Sequence, residues 1–103
     1  MAIKMKQNNK NITLEKTQAI EVLKEIEVIL QSLHNMGTYY MDKDSKEYEK
    51  ETTRFIDEWQ VTHSLANIRA VLSSKFDLTL EDADMDEIER AMVDIKVWKK
   101  QGD

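Results

Sequence analysis

The stretch TLEKTQAIEVLKEIEVILQSLHNMG, from Thr13 to Gly37, decides the fold. Its apolar residues recur at spacings of three and four, and they are Ala19, Val22, Leu23, Ile26, Ile29, Leu30, Leu33 and Met36. This is the periodicity of an amphipathic helix, which has about 3.6 residues per turn. We predict a helix over residues 14–35, with Thr13 as its N-cap and Gly37 ending it in a left-handed conformation. We expect this helix to be the most buried element.

A second helical segment follows a short connection, residues 38–43. Asp44 is a suitable N-cap, so the helix should begin near Ser45, and no Gly or Pro interrupts it before Lys75. Its apolar residues form two stripes, Tyr48, Phe55, Ile56, Trp59 and Ala66 in one, and Val61, Leu65, Ile68, Leu72 and Phe76 in the other. The stripes are rotated from each other by roughly 110°. Either the helix bends or breaks around residues 60–64, or one helix meets two partners, and we favour a continuous or mildly bent helix.

A third helix is expected to begin after Asp84 and to end near Lys100, and residues 80–83 can form one extra turn before it. Three amphipathic helices with short connections bury their apolar faces most simply as an antiparallel bundle. The predicted fold class is therefore all-α, an antiparallel bundle of three main helices. We expect one domain over residues 13–103, preceded by a mobile polar tail of residues 1–12.

The composition is typical of a helical chain and disfavours several classes of function. The 103 residues include no Pro, no Cys and two Gly, so neither hairpin turns, disulfides nor thiolate metal sites are expected. We expect a cytoplasmic protein, because the sequence shows no secretion signal and charges interrupt every apolar stretch that could cross a membrane. The net charge is -5, and residues 77–94 hold eight acids against Arg90. Direct binding to nucleic acid is disfavoured, since such proteins present a basic surface.

No residue pattern predicts catalysis, a metal or a cofactor. His63 and Ser64 are neighbours in a helix, so their side chains point about 100° apart and do not easily share the hydrogen bond that a nucleophile needs. Asp82, Asp84 and Asp86 have the first spacings of a calcium-binding EF-hand loop. The Gly and the bidentate Glu that such a loop requires at later positions are missing, so we expect a solvated acidic segment.

Two acidic stretches are candidate protein-binding surfaces. The tyrosine patch consists of Tyr39, Tyr40, Asp42, Asp44 and Glu47. The acidic run consists of Glu81, Asp82, Asp84 and Asp86. Tyrosine is enriched among residues that carry binding energy, and acidic side chains attract a basic partner. The two rings either pack against the bundle or stay exposed for a partner, and the sequence leaves both alternatives open.

The order of residue types from Tyr39 to Trp59 resembles a stretch of the nuclease-colicin immunity proteins. It comprises a Tyr pair, several acids and an amphipathic helix that ends Ile56-Asp57-Glu58-Trp59. The resemblance covers about a fifth of the chain, without the proline that follows the Tyr pair in that family and with one long helix upstream where the family has two. It implies a small acidic helical inhibitor that uses the Tyr pair and nearby acids against a basic nuclease.

We expect a partner-binding protein of the immunity or antitoxin type that neutralises a basic, nuclease-like toxin. One alternative is a homo-oligomeric structural or regulatory bundle, such as a homodimer, that uses the second apolar stripe. That interface would contain Val61, Leu65, Ile68 and Leu72. The other alternative is an all-α metal-dependent nucleotide hydrolase, for which the indication is carboxylate spacing, as in Glu21 with Glu25 or Glu47 with Glu51.

Overall fold

The computed structural model of the chain describes residues 11–77, 79–80 and 84–102, and the regular structure in these ranges is helical. The helices are α1 (Lys16–Tyr39), α2 (Ser45–Glu58), α3 (Val61–Ser73) and α4 (Glu87–Met92). Helices α1, α2 and α3 pack against one another, which confirms the predicted all-α bundle of three main helices. No helix in the described ranges is both long enough and apolar enough to cross a lipid bilayer.

The contacts divide the chain into two compact units. One unit, Thr13–Ser74, contains helices α1, α2 and α3. The other unit includes Lys75–Asp103 and contains α4. Most of the predicted tail, residues 1–12, lies outside the described residues. The single domain expected over residues 13–103 stays a prediction.

Helix α1 begins later than Thr13, which was predicted to be its N-cap. The N-cap is Glu15, whose backbone N–H donates to Gln18 Oε1 at 3.4 Å. A side chain three residues into the helix thereby satisfies one backbone group at the helix end. The prediction for Thr13 is wrong because the pair of Glu15 and Gln18 supplies the cap two residues later.

Helix α1 also continues past Gly37, which was predicted to end it in a left-handed conformation. Gly37 is helical, and the Tyr40 N–H donates to the Met36 carbonyl at 3.0 Å. Lys43 then completes the end of the helix, because its Nζ donates to the Tyr39 carbonyl at 2.9 Å. The prediction for Gly37 is therefore wrong, and the helix ends at the tyrosine pair.

The second predicted helix is broken into α2 and α3, so the favoured continuous helix is wrong. Gln60 separates them in a left-handed conformation, with φ 50° and ψ 50°. The break compensates for the rotation between the two apolar stripes, since Phe55 of α2 and both Val61 and Ile68 of α3 are buried. Burial of the second stripe outweighs the cost of a left-handed non-glycine residue, roughly 1–2 kcal/mol.

Helix α1 packs on α2 with its C-terminal half and on α3 with its N-terminal half. Ser32 and Met36 line a groove together with Phe55. Further along, Glu25 Oε2 accepts a hydrogen bond from Asn67 Nδ2 at 2.6 Å. Residue numbers on α2 and α3 rise as those on α1 fall, so the arm formed by α2 and α3 runs antiparallel to α1. We refer to residues 13–74 as the hairpin.

The core of the hairpin is small. Within the described part of the chain, the buried side chains are Val22 of α1, Phe55 of α2, and Val61 and Ile68 of α3. Two antiparallel arms share a single packed interface, so many apolar side chains keep one side in solvent. The expectation that α1 would be the most buried element is wrong, since α1 contributes one buried residue and α3 contributes two.

In the other unit, α4 is six residues long, although a helix to about Lys100 was predicted. Asp86 is its N-cap, with Oδ1 accepting from the Glu89 N–H at 2.7 Å and its own N–H donating to Glu89 Oε1 at 3.0 Å. Residues 95–100 are not helical. The run from Val93 to Val97 places a β-branched residue at every second position, which disfavours a helix. The predicted C-terminal half of this helix is therefore wrong.

Candidate protein-binding surfaces

The tyrosine patch lies where the chain passes from α1 to α2, at one end of the hairpin. The rings of Tyr39 and Tyr40 meet edge to face with their centroids 4.8 Å apart, and Tyr40 also lies 6.0 Å from the ring of Tyr48. Tyr39 is 60% exposed, whereas Tyr40 is half-buried. Each of the two alternatives therefore holds for one of the rings: Tyr40 packs against the hairpin, and Tyr39 remains exposed to solvent.

Lys43 holds the exposed ring of Tyr39 in place. Its Nζ lies 4.3 Å from the centroid of that ring, and it also donates to the Tyr39 carbonyl. The ammonium over the ring and Tyr40 at its side favour one orientation of the Tyr39 ring, which reduces the rotamer freedom that Tyr39 loses when a partner binds. The tyrosine patch thus presents an exposed aromatic ring that is already positioned.

The three acids of the tyrosine patch have different structural roles. Asp44 is the N-cap of α2, as predicted, and its Oδ1 accepts a hydrogen bond from the Lys46 N–H at 2.8 Å. Glu47 lies in the first turn of α2, where the helix dipole favours a negative charge. Asp42 is exposed in the connection before the helix. Asp44 and Glu47 both stabilise the N-terminus of α2. Asp42 has no such role in the helix, so it is the acid most available to a partner.

Burial raises the pKa of the Tyr40 hydroxyl above its usual value of 10.0, and the nearby carboxylates of Glu51 and Glu47 raise this pKa further. Tyr40 therefore stays neutral at physiological pH. The negative charge of the tyrosine patch comes from its carboxylates. Tyr40 has a different part in the patch, because its ring supports the ring of Tyr39.

The acidic run is described in part. Glu81 and Asp82 lie outside the described residues, and so does most of the extra turn predicted over residues 80–83. Asp84 has φ 58°, a left-handed conformation that aspartate adopts more readily than most residues. Asp86 caps α4. Asp84 and Asp86 belong to a different compact unit from the tyrosine patch.

Three of the four carboxylates considered for a metal-dependent hydrolase, Glu21, Glu25 and Glu51, have polar partners within the hairpin, and that of Glu21 is Lys24. Glu51 Oε2 pairs with Arg54 Nη1 at 3.1 Å, and Glu25 is the acceptor for Asn67. Across residues 11–77, 79–80 and 84–102, no three His, Cys, Asp or Glu side chains are grouped so that they could hold a metal ion.

The sequence reasoning missed a third surface, on the long sides of the hairpin. Leu23 and Leu30 of α1 are 60% and 59% exposed. The signal was present in the sequence, because the apolar residues of α1 cover a wider arc than one neighbouring arm can bury. A helix that is apolar over so wide an arc requires either a second neighbour or an exposed apolar face.

The stripe considered as an oligomer interface is divided by the fold. Val61 and Ile68 are buried inside the hairpin, where another copy of the chain cannot reach them. Leu65 and Leu72 of the same stripe are exposed by 52% and 37%. An interface on α3 can therefore use the two leucines but not the two buried residues.

No protein-family model, no curated protein and no solved structure matches this chain. The resemblance of residues 39–59 to immunity proteins rests on the Tyr39–Tyr40 pair, the acids that follow it and the helix that ends Ile56-Asp57-Glu58-Trp59.

Proposed function

We propose that this protein binds a basic protein of the nuclease-toxin type and neutralises it by covering the surface on which that partner binds nucleic acid. The observation that carries the proposal is the exposed Tyr39 ring, which Tyr40 and Lys43 hold at the end of the hairpin. An exposed ring that is already fixed adds buried area to a complex at a small cost in conformational entropy.

The charge of the chain supports the same kind of partner. The net charge is -5, and residues 39–51 contain five acids and three lysines. Negative charge attracts a basic nuclease over a distance and competes with the phosphates of its substrate. The lysines leave the local charge modest, so the Tyr39 ring should contribute more to the affinity than the surrounding acids do.

Binding without catalysis is part of the proposal, and so is action in the cytoplasm. A chain without cysteine folds equally well in a reducing compartment, which is where a nuclease toxin would meet its nucleic acid. The acidic run would assist the approach of the partner, because exposed charges act mainly on the association rate.

The proposal is tested by capture followed by an inhibition assay. The immobilised full chain is exposed to a lysate of its native host, and each retained basic protein is assayed for nucleic-acid cleavage with and without added chain. We expect a nuclease whose activity disappears in the presence of excess chain. Failure to retain any nuclease, or a bound nuclease that remains active, would contradict the proposal.

Tyr39→Ala should raise the dissociation rate of that complex roughly 30-fold, which corresponds to about 2 kcal/mol for a residue that anchors an interface. Trp59→Ala is the matched control, because Trp59 is 61% exposed but lies at the far end of α2. It should leave the dissociation rate unchanged. Surface plasmon resonance measures the rates, and circular dichroism checks that both variants remain helical. If Tyr39→Ala dissociates as slowly as the unaltered chain, Tyr39 is not the anchor.

A further inference from the structure

The link between α2 and α3 is a weakly stabilised part of the hairpin. Gln60 adopts a left-handed conformation there, with φ 50° and ψ 50°, which costs energy for a residue with a Cβ. Within the described hairpin, its side chain does not cap α3, and the first turn of α3 contains no acid that could interact with the helix dipole. Asp57 and Glu58 lie in the last turn of α2, where the dipole disfavours negative charge. Both helix ends at the link are therefore poorly stabilised.

A continuous helix through the link would remove these unfavourable features. Residues 45–73 contain neither Gly nor Pro, so no residue in this range prevents a helix from continuing. The N–H groups in the first turn of α3 would then donate to carbonyls four residues earlier. Asp57 and Glu58 would no longer lie at a helix end. The local sequence thus favours one helix, whereas the hairpin contains two.

Contacts with α1 keep the two helices of the hairpin separate. Val61 and Ile68 of α3 are buried, as is Val22 of α1. Asn67 Nδ2 of α3 also donates to Glu25 Oε2 of α1 at 2.6 Å. In a continuous helix, the apolar stripe of α3 would be rotated by roughly 110° from that of α2, so it would turn away from the α1 of its own chain. A single chain can therefore have either the continuous helix or the buried stripe.

Two copies of the chain can have both. If each copy places its α3 on the α1 of the other, the contacts that α3 makes in the hairpin form again between the copies. The structure shows which element covers this part of α1, and the α3 of a second copy is identical to it. Exchange of an identical element is a low-cost route to a dimer, and a short link under strain promotes it.

We propose that the link at Gln60 is a hinge through which two copies exchange α3, so that residues 45–73 of each copy form one helix in a domain-swapped dimer. The dimer keeps the interface between α1 and α3 and relieves two strained links, but it loses the translational and rotational freedom of one chain. The hairpin therefore prevails at low concentration and the dimer at high concentration. Exchange does not depend on toxin binding, because Tyr39 lies at the connection between α1 and α2, which exchange leaves unchanged.

Sedimentation velocity of the full chain, refolded from urea at micromolar to millimolar concentration, measures the dimer. We expect the 12.1 kDa mass of the chain at low concentration and twice this mass at high concentration. Gln60→Gly should weaken the dimer roughly tenfold for each hinge, and so about 100-fold in its dissociation constant, because glycine favours the left-handed link and disfavours the continuous helix. Ala66→Gly is the matched control. Ala66 is helical in the hairpin and in the exchanged dimer, so this substitution should leave the dissociation constant unchanged.

Cross-linking distinguishes exchange of α3 from any other kind of dimer. The chain has no cysteine, so Glu25→Cys and Asn67→Cys each introduce one reactive site. The two variants are mixed, refolded together at high concentration and treated with a short bismaleimide. Exchange places residue 25 of one copy beside residue 67 of the other, so we expect a covalent dimer of the two variants in high yield. The yield should fall sharply when both variants also carry Gln60→Gly.

The double variant Glu25→Cys with Asn67→Cys checks that the cysteines preserve the hairpin. At low concentration the reagent should link its two cysteines within one chain, because the side chains at these positions are in contact. An unaltered chain that is monomeric at every concentration, a dimer that Gln60→Gly leaves equally stable, or a dimer without links between residues 25 and 67 would overturn the proposal.

Discussion

Asp42 and Asp44 are two residues apart and carry the same charge, but their surroundings differ. Asp44 Oδ1 accepts the Lys46 N–H at the first turn of α2, whereas Asp42 is exposed in the connection. At the scale of the residue, a single hydrogen bond separates an acid that α2 needs from an acid that a partner can use. The same division applies to Tyr39 and Tyr40, of which the second supports the first.

Asp44→Ala should lower the free energy of unfolding by about 1 kcal/mol, because it removes the side-chain cap of α2. Asp42→Ala removes the same charge without removing the cap, so it should change this free energy by less than about half as much. Urea titration followed by circular dichroism measures both variants. Equal destabilisation by the two substitutions would show that charge, and not capping, gives Asp44 its role.

At the scale of the element, the link between α2 and α3 decides how these two helices are arranged against α1. Gln60 occupies a left-handed conformation there, which costs energy for every residue with a Cβ. The conformation persists because it allows Phe55 of α2 and both Val61 and Ile68 of α3 to be buried together in the hairpin. A residue without a Cβ should serve the same link at a lower cost.

Gln60→Gly should raise the free energy of unfolding by about 0.5–1 kcal/mol, since glycine adopts the left-handed region without steric strain. Ala66→Gly is the matched control in the middle of α3, where Ala66 is exposed and helical. It should lower the same free energy by about 1 kcal/mol. Thermal and urea unfolding of the two variants should therefore shift in opposite directions. A shift of Gln60→Gly in the same direction as the control would show that the link is not left-handed in solution.

The distribution of charge becomes important at the scale of the whole molecule. The chain carries a net charge of -5, and eight acids fall within residues 77–94. Exposed charges mainly steer the approach of a partner and are screened by salt, whereas buried aromatic contacts slow dissociation. The acidic run and the tyrosine patch should therefore control different steps of binding to a basic protein.

Replacing Asp82, Asp84 and Asp86 with asparagine should slow association with the proposed basic partner at low salt and have little effect at high salt. Asparagine at position 86 can still cap α4, so the local structure should be kept. Stopped-flow mixing at two salt concentrations measures the association rate. Tyr39→Ala provides the converse control, with its main effect on dissociation. A large change in dissociation on neutralising the acidic run would mean that these acids contact the partner directly.

The sequence by itself determined the features that depend on neighbouring residues. The spacing of apolar residues identified helical segments, because one turn of a helix brings residues three and four apart together. Asp44 was recognisable as a cap, since its oxygen has only to reach a backbone group two residues away. The sequence also drew attention to the residues of the tyrosine patch, whose role in binding stays a prediction, but it did not determine their exposure.

The tertiary structure alone decided the features that depend on distant neighbours. Gln60 breaks the second helix because the break lets Phe55 of the first stripe be buried together with Val61 and Ile68 of the second, which no local rule about Gly or Pro reveals. Tyr39 and Tyr40 are identical residues whose exposure differs only through what packs beside them. Leu23 and Val22 likewise both belong to the apolar pattern of α1 in the sequence. A hairpin with one packed interface buries Val22 and leaves Leu23 in solvent. Burial depends on how many neighbours a helix has, and that number is a property of the assembled fold.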